Sequence, residues 1–473
     1  MSFIIAEKLT TIVEWIDERT AIKNLLGNIT KEPISGGSRW AYVLGSGLLF
    51  ALMLQMFTGV LLLLYYVPSS DAAHTSVAYI QKEVLLGNLI RGIHYHGTNL
   101  IVILTVLHTL RTFFWGAYKS KREIVWITGI LLLFIISGFA FSGYLLPWDN
   151  NAYFGTAVRL GIISSIPIIG APISEIILGG SSVSTLTISR FFTFHVGILP
   201  AILFLFIALH LLVIFRAKHA GSYNPTTNVE DFYPKQFFKN CCFALLIFII
   251  LSSLSYISPA HLEVEANPSD SNYIARPEWY FLFIFQLLKY FPGHLGFIPK
   301  VVLPGLLFIV VFLLPFLDKS PERNPLKRPF ATLAISILLF GAILIGSVAI
   351  LEDRSNPIVK AQLERQSNEA KLFLKSEFTP KNIGKTAIPE VESSSPPPSI
   401  YQTKCVACHG DKAEGQVGPT LHKLSQKEKR SREDIIKLLK DPKSYGLNPI
   451  MPTFNDLSDQ ELQQLADWIV SLK

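Results

Sequence analysis

Four histidines stand inside apolar stretches, where an imidazole is expensive unless it does something: His94 and His108 in one, His195 and His210 in another. The first pair is 14 residues apart and the second 15. On helices rising about 1.5 Å per residue, each pair is separated by roughly 21–23 Å along the axis. Fourteen residues is close to four whole turns, so His94 and His108 share a face; fifteen leaves His195 and His210 within about 60° of each other. An even number of crossings separates the two helices, so they run the same way, and His94 levels with His195 and His108 with His210. Two facing imidazole pairs in a bundle are the ligand set of two six-coordinate haems. Gly45 and Gly59, and Gly129 and Gly143, repeat the 14-residue interval on two further apolar runs. Glycine lets a backbone lie close against a flat macrocycle, though it is also common in membrane helices. Arg91, Arg111 and Arg190 lie near the histidines and read either as partners of haem propionates or as loop anchors.

The tail carries a second kind of site. Cys405-x-x-Cys408-His409 has the spacing for two thioether bonds and one axial imidazole on a c-type haem. The following histidine, the absence of a second cysteine pair and an outside location set aside a redox dithiol or half a zinc site. Met451, in NPIMPTF, is the natural sixth ligand and His422 the competing one; Met/His ligation raises the potential. Ser458 and Glu461 form a capping box that opens a final helix through Leu472. A domain of about 75 residues has little core, so a bound haem would also staple its fold. The remaining cysteines, Cys241 and Cys242, read as small residues packed in a helix.

The elements that position these residues are membrane helices. Of 473 residues, 50% are hydrophobic and 16% charged, against about 25% charged in soluble domains. The net charge of +7 gathers in short loops between apolar runs, a pattern that orients a membrane protein and does not point to nucleic acid. Seven segments are long enough to span a bilayer, at 41–67, 92–115, 124–147, 191–215, 240–257, 298–317 and 330–351. Two more apolar stretches, 156–180 and 279–291, are expected to lie at the membrane surface. Ile5, Leu9, Ile12, Val13 and Ile16 share one helical face, as in a surface helix or a short core-packing one. No cleavable signal peptide is visible ahead of the first apolar run near Ala41. With seven spans, the loops holding Lys119, Lys121 and Arg122, then Arg216, Lys218, Lys235 and Lys239, then Lys319, Arg323, Lys327 and Arg328 all fall on the side of the N-terminus, the cytoplasm. The tail then lies outside. The fold class is all-α: a transmembrane bundle of about seven spans with a small all-α domain. The expected organisation is 1–222, a four-helix di-haem domain; 223–351, a three-helix domain; 352–398, a polar linker ending in SSSPPPS; and 399–473, the c-type domain.

Residues 1–351 resemble cytochrome b of the quinol:cytochrome c oxidoreductases. GYLLPWDN (143–150), STLTISRFF (184–192) and RPEWYFL (276–282) match that family's signatures. The 15-residue spacing of His195 and His210 is similar to the chloroplast and cyanobacterial branch, in which the protein is split in two. This chain resembles the two pieces joined, with the junction near Gly221–Pro225. The tail resembles small soluble cytochrome c domains, including their Gly-Pro-x-Leu element at Gly418 to Leu421.

Quinol oxidation releases two protons and needs an acceptor able to reach the outer solvent. Glu278, between Pro277 and Trp279 in the outer loop after span five, is suited to that role; the alternative is an interfacial carboxylate paired with Arg276. The resemblance implies that Pro-Glu-Trp-Tyr lines the quinol-oxidation site, with Tyr144 and Tyr280 beside it. It further implies two b-type haems, a separate Rieske-type iron–sulfur subunit, since this chain has no cluster-binding set of cysteines, and a homodimer. One electron would go to the iron–sulfur partner and one inward across the two b-type haems to a quinone, a Q-cycle. The tail haem would take electrons from the iron–sulfur protein, ahead of a soluble or membrane cytochrome c acceptor. One departure stands out: Val43 occupies the position where the chloroplast-type proteins hold an extra haem by a cysteine. The implied location is a bacterial-type inner membrane. The alternative function is a non-catalytic di-haem anchor that conducts electrons between a dehydrogenase and periplasmic carriers.

Overall fold

In a bilayer the backbone has only itself to hydrogen-bond with, so long apolar runs become helices. The structure is a computed structural model, and it describes residues 11 and 13–379, apart from 219, 222, 224–227, 271 and 292, together with 398–410, 413, 420–421, 431–445, 451 and 453–472. Ile5, Leu9, Ile12, His422, Gly418 and all but the end of SSSPPPS lie outside the described residues.

Among the described residues six helices are long and apolar enough to cross a membrane: Trp40–Leu63, Gly87–Phe114, Glu123–Gly143, Thr185–Ala217, Phe232–Ile257 and Pro329–Ser355. They correspond to six of the seven expected spans. The other, expected at 298–317, is divided into a π turn over Ile298–Val302 and helices Leu303–Phe312 and Leu314–Leu317. Pro299, Pro304 and Pro315 each lack the N–H that an uninterrupted helix needs. The stretch 156–180 falls in two helices, Asn150–Ser164 and Gly170–Leu178, which at 15 and 9 residues are too short to span. The segment after Pro277 is a single 3₁₀ turn, Trp279–Phe281, followed by helix Leu282–Lys289.

The described residues form two compact units, one of 11–266 with 274–379 and one of 267–273 with the residues from 398 onward. Within the first, the fifth span packs on the first two. The Phe243 ring fills the space that a Cβ on Gly47 would need, and Ser255 lies 2.5 Å from the corresponding point on Gly92. Small residues let membrane helices approach in this way. Ala51, Ile93, Ile101, Leu104, Ile136, Ile247 and Leu251 fill the space between them. The stretches on either side of 222/223 therefore pack as one body. A short antiparallel pair, Pro33–Ser35 with Val229–Asp231, also ties the start of the first stretch to the start of the second.

The expected linker is folded in its first part. Asn356 caps helix Pro357–Lys375 by accepting from the Ile358 and Val359 amides. Gln366 and Ala370 are buried. The Gln366 amide bonds the Ile274 backbone in both directions, at 3.1 and 3.2 Å. Lys82 Nζ donates to the carbonyls of Phe373 and Ser376 at 2.6 and 2.9 Å. Only a narrow face is buried, so the average composition of this helix is polar and its period was masked.

The three basic loops meet at one end of the bundle. Arg323 donates to Trp115 O and Gly221 O, and Arg122 to Ala217 O. At their centre Asp318 accepts from Lys119 Nζ at 2.7 Å, Tyr118 Oη at 2.5 Å and Arg328 Nη1 at 3.2 Å. Burial pushes the Asp318 carboxyl up, but these three donors outweigh it and hold it below the usual carboxylate range. The side chains of Lys119 and Arg328 are only 5% and 3% exposed, so they depend on this carboxylate.

In the C-terminal unit, Tyr401, Ile435, Leu439, Leu462, Leu465, Trp468 and Ile469 form one core. Ser458 and Glu461 make the capping box that starts helix Asp459–Ser471.

Removing the carboxylate leaves two buried cations unpaired. Asp318→Ala is expected to destabilise the protein by about 3–5 kcal/mol, read as earlier thermal loss of helical signal in detergent. Because the folded pKa of Asp318 is depressed, its contribution is present above the unfolded carboxylate pKa and lost as pH falls through the folded value.

Candidate electron-transfer and quinol site

The fourth apolar helix begins at a capping box, Ser184 with Thr187. It then widens into a π turn over Phe194–Ile198 that contains His195. Pro200, two residues on, has no N–H to give the Val196 carbonyl. A π turn holds one residue more than an α turn. It takes up the odd residue in the 15-residue spacing and returns His195 toward the register of His210.

His94 and His195 face each other with ring centroids 6.4 Å apart. Two imidazole nitrogens each about 2 Å from one metal ion place their ring centroids roughly 6 Å apart, so the pair fits a shared ion. The glycine repeat lies against these rings. A Cβ on Gly59 would stand 3.3 Å from His94 Cε1, and one on Gly143 would stand 2.6 Å from His195 Cε1. At the other two histidines a Cβ on Gly45 would stand 3.2 Å from His108 Cε1 and one on Gly129 3.4 Å from His210 Cε1.

Three hydroxyls orient the rings, and the sequence analysis did not single them out. Thr58 Oγ1 is 3.0 Å from His94 Nδ1, Thr128 Oγ1 2.8 Å from His210 Nδ1, and Ser142 Oγ 3.1 Å from His195 Nδ1. Each hydroxyl also gives its proton to the carbonyl four residues back: Leu54, Ile124 and Gly138, all at 2.8 Å. A hydroxyl has one proton to donate, so toward the ring it accepts, and Nδ1 carries the hydrogen. Nε2 is then left with its lone pair, the form that ligates a metal. The signal was available: each hydroxyl residue immediately precedes a glycine of the 14-residue repeat. Leu44 precedes the fourth, Gly45, so His108 lacks this partner.

The arginines are engaged elsewhere. Arg91 is buried and donates to Gln81 Oε1, Ala260 O and His261 O at 2.8, 3.0 and 2.6 Å, anchoring the loop after the fifth span. Arg190 donates to the Ile176 carbonyl. Arg111 stacks over Trp115 and Tyr42, with its cationic carbon 4.3 and 4.9 Å from the ring centroids.

A cavity of about 330 Å³ opens beside the outer pair; Gly59, His94, His195, Tyr144, Glu278 and Tyr280 are among its walls. Three tethers build it from distant parts of the chain. Asp149 caps helix Asn150–Ser164 through the Ala152 amide at 2.8 Å and accepts from the Glu263 amide at 3.0 Å. Trp279 Nε1 donates to Asn99 Oδ1 at 2.8 Å. Arg276 makes a two-pronged pair with Asp353, 2.7 Å in each arm. That pair replaces the Arg276–Glu278 bridge held open above and leaves the Glu278 carboxyl to the cavity. Burial pushes the Glu278 carboxyl up, opposed by Arg159 and His261. Burial likewise raises the Tyr144 and Tyr280 hydroxyls. The His261 imidazole is raised by its contact with Glu263 at 3.3 Å.

In the C-terminal unit, helix Val406–His409 follows Cys405, and Tyr401 Oη donates to Gly410 O at 2.7 Å. Tyr401 packs on Trp468 with ring centroids 4.4 Å apart. Cys405 lies in the domain core, and Met451 packs against that same core. Cys405 and the candidate sixth ligand thus adjoin one apolar core, which suits a covalently held macrocycle.

Three family models match the chain: Cytochrome b/b6/petB over residues 29–218, Cytochrome b(C-terminal)/b6/petD over 265–364, and Cytochrome C oxidase, cbb3-type, subunit III over 395–469. Cytochrome b of Rickettsia prowazekii is 33% identical over 355 residues, covering 72% of this chain and 87% of the relative. The cytochrome bc complex cytochrome b subunit of Chlorobaculum thiosulfatiphilum is 34% identical, covering 70% and 80%. The menaquinol:cytochrome c reductase cytochrome b subunit of Bacillus subtilis is 40% identical over 221 residues, 45% of this chain and 99% of that one. A solved structure described as a hyperthermophilic respiratory Complex III superposes with a TM-score of 0.64 at 28% identity, covering 76% of this chain and 97% of its own.

Thr58→Val keeps the shape of the side chain and removes the acceptor at His94 Nδ1. Retention of one b-type haem is expected to weaken by roughly tenfold or more. The midpoint of that haem should also move upward, because the ring loses anionic character; a spectroelectrochemical titration of the purified protein reads both.

Proposed function

This chain belongs to the cytochrome b family of bc-type complexes and carries a cytochrome c domain at its C-terminus; from that premise we propose that it works with a Rieske-type iron–sulfur subunit in a Q-cycle, oxidising quinol at the outer face. It is a multi-pass membrane protein and an oxidoreductase subunit. The observation that carries the proposal is that the outer imidazole pair and Glu278 wall one cavity.

His94 with His195 and His108 with His210 would hold two b-type haems, and Cys405, Cys408, His409 and Met451 one c-type haem. Bound there, these groups supply one-electron redox centres near both membrane surfaces and in the tail. The chain's own residues handle the substrate and its protons. A quinol in the cavity would give one O–H proton to the Glu278 carboxylate and the other outward to the iron–sulfur subunit with the first electron, while its second electron leaves inward. Glu278 is suited to this because burial raises its proton affinity, bringing it closer to that of a base useful near neutral pH. Tyr280 keeps its proton and can donate to the quinol oxygen. Tyr144 gives its own to Asn151 Oδ1 at 2.9 Å, so its oxygen is left to accept. His261, 41% exposed and paired with Glu263, offers the proton a way toward solvent.

In this reading the end bearing the three basic loops faces the cytoplasm of a bacterial-type inner membrane, and the C-terminal domain lies outside. The assembly is a homodimer, with membrane lipid around it and a soluble or membrane cytochrome c as the eventual acceptor. The domain limits 1–222, 223–351 and 399–473 are retained as functional divisions: imidazole cage, quinol-site half and c-type domain.

Two measurements test this. A pyridine haemochrome assay on the purified chain should return two b-type haems to one c-type; fewer than two b-type, in a preparation that has kept its cofactors, breaks the histidine pairing. Glu278→Gln should lower quinol:cytochrome c turnover by about 100-fold or more with haem content unchanged. Unimpaired turnover would make the chain a passive di-haem conduit.

A further inference from the structure

Helix Asn150–Ser164 presents three residues to one ring, at positions i, i+4 and i+8. Asn151 Oδ1 accepts from Tyr144 Oη at 2.9 Å. Gly155 has no Cβ because one there would stand 2.6 Å from Tyr144 Cε1. Arg159 lays its guanidinium over the Tyr144 ring, 3.6 Å from the centroid. Both terminal nitrogens of Arg159 are buried without a hydrogen-bond partner among the described residues. Orphaned guanidinium nitrogens beside an aromatic ring are costly to keep, and the ring contact alone recovers little of that cost. The family resemblance gave this arginine no role.

The charge does have objects. It acts on Tyr144, Tyr280 and Glu278, all of which wall the cavity. The other groups around Glu278 cannot replace it. Arg276 is neutralised by Asp353 at 2.7 Å, and His261 is engaged with Glu263. Tyr95, Tyr144 and Tyr280 are uncharged phenols, Arg91 is tied to loop carbonyls, and Asp149 and Glu263 add negative charge. Among the described charged residues that act on Glu278, Arg159, stacked on the Tyr144 ring, is therefore the cation left uncommitted.

Resting on the quinol-oxidation reading, we propose that Arg159 is a positioning residue for that step: it fixes the Tyr144 ring at the cavity wall and supplies the positive charge that favours a carboxylate at Glu278, the form able to take the quinol's proton. An opposing positive charge stabilises the ionised form, so its loss makes Glu278 hold its proton to higher pH. The acidic limb of the kcat/KM profile reports that ionisation in the free enzyme.

The test uses the full complex, with a short-chain benzoquinol and a short-chain naphthoquinol as probes, across pH 5–9 (roughly the span over which a raised carboxyl titrates). Arg159→Met is expected to move the acidic limb upward by about one pH unit or more, with b-type haem content unchanged. Arg159→Lys keeps the charge and should leave the limb near its wild-type position while raising KM, because an ammonium stacks poorly on the ring. If Arg159→Met does not assemble, Arg159→Gln takes its place, with the same expected limb shift. Profiles that superimpose for wild type and the uncharged variant, while Glu278→Gln is inactive, overturn the role of Arg159 and leave the quinol site standing. An active Glu278→Gln removes both.

Discussion

An imidazole in the middle of a lipid-facing bundle is tolerable only if both of its nitrogens have something to do, and the membrane unit is organised around meeting that demand. Thr58, Ser142 and Thr128 accept from Nδ1 of His94, His195 and His210, and each sheds its own proton onto its helix backbone. The hydroxyls thereby fix which nitrogen bears hydrogen and turn the other toward the space between the helices. The glycine after each hydroxyl is part of the same device, since any side chain there would meet the imidazole it serves. Asymmetry enters at His108, where Leu44 stands in for the hydroxyl. His108 and His210 are thus one freer ring and one oriented ring, a physical difference between the two ends of the bundle.

The pocket beside His94 and His195 obeys a complementary constraint: the Glu278 carboxyl is largely buried, which raises it, and the neighbouring Arg276 is paired elsewhere. Asp353 serves this by taking Arg276 away from Glu278. Trp279 fastened to Asn99, and Asp149 fastened to the Glu263 amide, hold the loops that carry Glu278 and Tyr144 against the second and third spans. The loops are pinned by hydrogen bonds from backbone, indole and guanidinium N–H groups, so the acidic side chain at the centre is not needed as a structural partner. This arrangement leaves one cavity walled by both the imidazole pair and the Glu278 carboxyl.

Much of the bundle was legible because lipid imposes a strong rule: apolar length makes a span, basic loops gather at one end, and a buried histidine needs a ligand or a partner. That rule found six long helices, and it placed the four histidines at heights from which facing pairs can form. It was blind where the pattern is local or mixed. The prolines at 299, 304 and 315 divide a helix whose composition reads as continuous. Helix Pro357–Lys375 passed for a linker because only residues such as Gln366 and Ala370 are covered. The arginines near the histidines were open between two uses, and only their contacts show that Arg91 and Arg190 hold loop and helix carbonyls.

The sequence by itself determined the chemistry on offer: two imidazole pairs at intervals of 14 and 15 residues, a Cys-x-x-Cys-His motif in a polar tail, and a carboxylate between proline and tryptophan. These are properties of residue type and interval, which helix geometry converts directly into positions along an axis. Only the tertiary structure decided rotation and partnership. The π turn before Pro200 brings His195 back into register despite its odd interval, a change in helix phase that no count of residues reveals. The choice of Asp353 for Arg276, and of the Tyr144 ring for Arg159, depends on side chains 77 and 15 residues away in sequence. Coulomb and stacking energies fall off over a few ångströms, so they respond to packing and not to order along the chain.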